Sequence, residues 1–63
     1  MYSIKYSEQA FDSKPPKRFE LPNLTKEQAN KVIEILNVPV EGKVIKWVLY
    51  EDNKAIEKGE SRW

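Results

Sequence analysis

Polar and apolar residues alternate one for one at the start of the chain. Tyr2, Ile4 and Tyr6 fall on one side of an extended segment, and Ser3, Lys5 and Ser7 on the other. A period of two with aromatic and β-branched residues predicts a half-buried strand. The pattern then breaks. Residues 8–22 contain Pro15, Pro16 and Pro22, which remove hydrogen-bond donors and push the residues before them toward extended geometry. This stretch reads as a connector, with Phe19–Leu21 as the candidate for a short edge strand within it.

The period changes to that of a helix over residues 25–37. Ala29, Val32, Ile33 and Leu36 recur at i, i+3, i+4 and i+7 on one face, while Lys26, Glu27, Asn30, Lys31 and Glu34 lie opposite. Thr25 followed by Gln28 forms a capping box at the start, and Leu24 is placed to pack on Ala29 as a hydrophobic staple. Asn37 suits the end of the helix, and Pro39 cannot continue it.

Residues 43–60 return to strand character. Val44–Tyr50 is rich in β-branched and aromatic residues, and Asp52-Asn53 can form a two-residue turn because both residue types tolerate positive φ. That turn pairs Glu51 with Lys54, Tyr50 with Ala55, Leu49 with Ile56 and Trp47 with Lys58. It places Ile45, Trp47, Leu49 and Ile56 on the face toward the helix.

The expected fold is a small α+β domain of order β-α-β-β. Its sheet is mainly antiparallel and three-stranded, four-stranded if Phe19–Leu21 joins, with one helix on one face. Should the first strand run parallel to the one after the helix, a right-handed crossover is expected. No internal repeat is visible along the chain.

Composition narrows the chemistry more than it suggests one. The 63 residues hold no cysteine and no histidine. Disulfides, thiolate nucleophiles and imidazole acid–base catalysis are therefore absent. The serines Ser3, Ser7, Ser13 and Ser61 have no base in any recognisable motif, and the two glycines cannot build a phosphate loop. Glu51 and Asp52 stand on an exposed turn, where no apolar pocket is expected to divide them into acid and base and where a calcium ion would lack most of its six to eight oxygens. The expectation is a protein that is not an enzyme and needs no cofactor or metal.

Eleven basic and ten acidic side chains leave a net charge of +1, which gives no overall attraction to nucleic acid or to an anionic membrane. No apolar run approaches a membrane span. The segment MYSIKYSEQ lacks the basic start and apolar centre of a signal peptide, so a cytoplasmic location is expected.

Binding is the remaining function. One helix cannot cover both faces of a sheet, so the second face of the hairpin, with Val44, Lys46, Val48 and Tyr50, is the candidate protein-binding surface. It would serve an accessory or inhibitor-type protein, unless Phe11 or Phe19 in the connector folds back over it. The alternative is a nucleic-acid site in the basic connector, Lys14, Lys17, Arg18 and Phe19, aided by sheet aromatics. Self-association into a homodimer through the sheet is the third reading. Trp63 is expected to pack on the sheet edge.

Overall fold

The computed structural model describes residues 1–10 and 15–62. Four antiparallel strands form one sheet, with a single helix inserted between the second and third: β1 Tyr2–Ala10, β2 Lys17–Leu24, α1 Lys26–Leu36, β3 Lys43–Glu51 and β4 Lys54–Arg62. The strand order is β2-β1-β3-β4, so the two hairpins lie side by side and β1 pairs with β3 at the centre. This is the expected small α+β fold with its fourth strand present, and the order is β-β-α-β-β. Phe11 and Lys14, in the β1–β2 connection, and Trp63 lie outside the described residues.

The largest departure from the expected organisation is in residues 8–22. β1 continues to Ala10, and the sequence from Lys17 onward is a full edge strand. Lys17, Arg18, Phe19 and Glu20 pair with Glu8, Ser7, Tyr6 and Lys5. Pro22 is tolerated because β2 has a free outer edge. Beside it the strand bulges: Leu21 pairs with Ile4 and Leu24 with Tyr2, so β2 holds one extra residue. Asn23 absorbs that residue at φ 58°, a conformation Asn adopts more readily than most residues. The bulge aims Leu24 at the core one residue before the helix cap. Because β2 reverses the chain before the helix, β1 and β3 run antiparallel, and no parallel crossover joins them.

The helix begins as its capping box predicts. The Gln28 amide donates to Thr25 Oγ1 at 3.1 Å, and the Thr25 amide donates to Gln28 Oε1 at 3.0 Å. Asn37 ends it in right-handed geometry (φ −83°), so its side chain is not needed to support a left-handed turn. Instead Asn37 Oδ1 accepts a 3.0 Å bond from Trp47 Nε1, which ties the helix end to the middle of β3. Ala29 and Leu36 from the helix are buried on Ile4, Ile45, Trp47 and Leu49 from the sheet, with Tyr2, Tyr6, Leu24, Val32 and Ile33 packed around them.

The β3–β4 turn has Asp52 and Asn53 at φ 48° and 70°, and Glu51–Lys54 and Tyr50–Ala55 pair as expected. Beyond them the register differs. A bulge at Ile56 sets Leu49 opposite Glu57 and Trp47 opposite Gly59. Ile56 is therefore 47% exposed and outside the core. The reason lies under the indole: a Cβ built on Gly59 would come 2.4 Å from Trp47 Cζ2. Only glycine leaves room for the ring to lie flat on β4, whereas the unbulged register would set Lys58 there.

Candidate functional site: the open sheet face

Strand alternation and register together determine what the face without a helix presents. Reading across the strands from β2 to β4, one row is Glu20, Lys5, Val48, Lys58 and the next is Arg18, Ser7, Lys46, Glu60. Ser3, Tyr50 and Ala55 flank the first row, and Gln9, Val44 and Arg62 the second. The four residues expected to bind protein, Val44, Lys46, Val48 and Tyr50, all lie on this face. Lys46 is exposed and the other three are half-buried. An open groove of about 460 Å³ is lined by Lys5, Ser7, Arg18, Glu20, Lys46 and Val48 among others. A second of about 420 Å³ adjoins it across Lys46 and Val48 and extends to Lys58 and Glu60.

The basic residues of β2 do not act as a group. Lys17 and Phe19 fall on the helix side, where Phe19 stacks on Tyr6 with ring centroids 4.9 Å apart. Arg18 falls on the open side. A strand points neighbouring residues to opposite faces, so the proposed Lys17–Arg18–Phe19 patch is divided. Phe19 and Leu21 face the helix side, so neither covers the second face, and Phe11 lies outside the described residues.

The fold sorts the charges. Among the described residues, Lys5, Arg18, Lys46, Lys58 and Arg62 share the open face with only Glu20 and Glu60, an excess of three positive charges where the whole chain carries +1. Glu27, Glu34, Glu41 and Asp52 lie on the helix, the loop after it and the hairpin turn. Glu20 sits 3.7 Å from Lys5 Nζ, and Glu60 takes two hydrogen bonds from Arg62 at 3.0 and 2.8 Å. The Lys5 ammonium also lies 5.1 Å from the centre of the Tyr50 ring. Among the described residues, Arg18, Lys46 and Lys58 stand without a carboxylate in ion-pair range.

The layout also has an approximate two-fold axis through the Tyr6–Trp47 pair. Ile4-Lys5-Tyr6 of β1 maps onto Ile45-Lys46-Trp47 of β3, and Arg18-Phe19-Glu20 of β2 onto Lys58-Gly59-Glu60 of β4. Three residues per strand are too few to read as a repeat. The correspondence emerges only when pairing aligns the hairpins. The same pairing joins Lys5, Arg18 and Glu20 into one surface, whereas Lys58 and Glu60 reach it because the bulge at Ile56 shifts β4 by one residue from the register the turn predicts. A period-two reading of 17–24 places Arg18 and Glu20 on this face; no comparable local signal marks the bulge that brings Lys58 and Glu60 to it.

No three Asp or Glu side chains gather into a metal-binding cluster among the described residues. At the end of the sheet, burial, then the charge of Glu51 and its hydrogen bond, then Asp52, hold the Tyr2 phenol above its usual 10.0. Comparison with protein-family models, with curated proteins and with solved structures finds no match.

Proposed function

We propose that this protein is a non-catalytic docking module that binds a partner protein through the open face of its sheet. The observation that supports it most is the make-up of that face: half-buried Val44, Val48 and Tyr50 lie among exposed cations, with no helix over them. An aliphatic and tyrosine centre with a charged surround is the composition of an interface centre and rim. The single-stranded nucleic-acid reading has less support. Such binders stack successive bases on aromatic rings, and the only described aromatic side chain on this face is Tyr50, with the Lys5 ammonium beside its ring.

Val48→Asp tests the proposal, since Val48 borders three surface depressions and lies outside the core cluster. Affinity capture with the wild-type chain and the variant, followed by titration with the purified captured protein, should show affinity falling at least tenfold. Equal affinity of a correctly folded Val48→Asp protein would rule out this face.

A further inference from the structure

We infer, building on the docking proposal above, that the partner is a protein whose contact surface is acidic, with carboxylates standing over Lys5 and Lys46 and over Arg18 and Lys58. The excess of cations sets the sign of the partner's charge. It also disfavours a second copy of this chain, because stacking two open faces would oppose the same excess on both sides.

The carboxylates then decide between classes of polyanion. Glu20 and Glu60 lie within the cation rows, one on each outer strand. A phosphate backbone crossing the rows would be repelled by both, whereas a protein surface can offer cations to them as well as carboxylates to their neighbours. Aliphatic Val44 and Val48 add apolar area that suits a protein surface.

The two-fold layout makes the contact shared. Lys5 and Lys46 are mates about the axis, as are Arg18 and Lys58, so neither hairpin holds the site alone. Neighbouring strands lie about 4.8 Å apart and alternate residues about 6.7 Å apart along a strand. The Lys5–Lys46 pair therefore spans roughly 8 Å at the backbone, within reach of alternate carboxylates on an extended acidic segment.

The test uses the full chain, labelled with nitrogen-15 and titrated with a decaglutamate peptide and, separately, a short oligothymidine. Each titration is run at about 50 mM and about 150 mM salt. Decaglutamate should shift the amides of Lys5, Ser7, Lys46 and Lys58 and leave the helix unmoved. The single variants Lys5→Glu and Lys46→Glu, both at exposed positions, should each weaken it by a similar factor, about threefold to tenfold. Circular dichroism confirms that the variants are folded.

Tighter binding of oligothymidine on the same face would overturn the inference in favour of nucleic acid. Shifts centred on the helix would overturn it, as would loss of binding in only one of the two lysine variants. If decaglutamate does not bind while Val48→Asp still abolishes binding of the captured protein, docking stands and its acidic character falls.

Discussion

Replacing Gly59 with alanine tests the contact that sets the hairpin register. The added Cβ would lie 2.4 Å from Trp47 Cζ2, 2.5 Å from Cε2 and 2.8 Å from Nε1, all side-chain atoms of a buried ring. The indole must move, and its 3.0 Å bond to Asn37 Oδ1 goes with it. Overpacking of this kind costs about 1–3 kcal/mol, and a lost hydrogen bond about 0.5–1.5 kcal/mol. Alanine recovers about 0.5–1 kcal/mol of the backbone entropy that glycine loses in a strand. The net expectation is destabilisation by about 1–3 kcal/mol, the range those opposing effects leave. At about 4–8 °C per kcal/mol for a domain of this size, Tm should fall by roughly 10 °C.

Urea and thermal unfolding followed by far-ultraviolet circular dichroism measure the loss, and the Trp47 indole proton resonance reports the ring. Asn37→Ala completes a double-mutant cycle. It should destabilise the wild-type protein and cost much less in the Gly59→Ala background, where the bond is already broken. A Gly59→Ala protein as stable as wild type, with its Trp47 indole proton unshifted, would refute the account of the bulge.

Three other predictions concern single residues. Ser61 is buried opposite Ile45, and its hydroxyl has no hydrogen-bond partner among the described residues; Ser61→Ala should therefore stabilise by up to about 1 kcal/mol in urea unfolding. Asn23→Val places a β-branched residue at φ 58° and should cost about 1–2 kcal/mol, whereas Asn23→Gly should be close to neutral in the same assay. The raised Tyr2 pKa means the folded state holds the phenol proton more tightly than the unfolded chain. Its contribution is complete below pH 10.0 and is lost as pH rises through the folded-state value, so Tyr2→Phe should flatten the alkaline limb of a stability–pH curve.

Much of the fold is legible along the chain because the relevant forces are local. The Thr25–Gln28 capping box, the Ala29–Val32–Ile33–Leu36 stripe and the Asp52-Asn53 turn each depend on residues within a few positions of one another. Alternation likewise identifies Ile4, Ile45, Trp47 and Leu49 as inward-facing, and all four are buried. From the same alternation, Val44, Lys46, Val48 and Tyr50 were placed together on the second face of the hairpin.

Pairing and register are a different matter, because they depend on partners far apart in sequence. Prolines make residues 8–22 read as a connector, with at most a short strand at Phe19–Leu21, but an edge strand leaves one side of its backbone unpaired and accommodates Pro22 there. Ile56 follows the alternation of a core residue, yet Trp47 needs Gly59 beneath its ring, and the bulge that supplies it turns Ile56 outward. The charge of the open face arises in the same way. A one-residue step along a strand reverses the face, so Lys17 and Arg18, adjacent in sequence, are separated, while Arg18, Lys46 and Lys58 from three strands are gathered. The sequence by itself determined the helix, the turn and which side of each central strand is apolar. Only the tertiary structure decided that a nearly neutral chain presents a basic face, because cross-strand pairing chooses which side chains become neighbours.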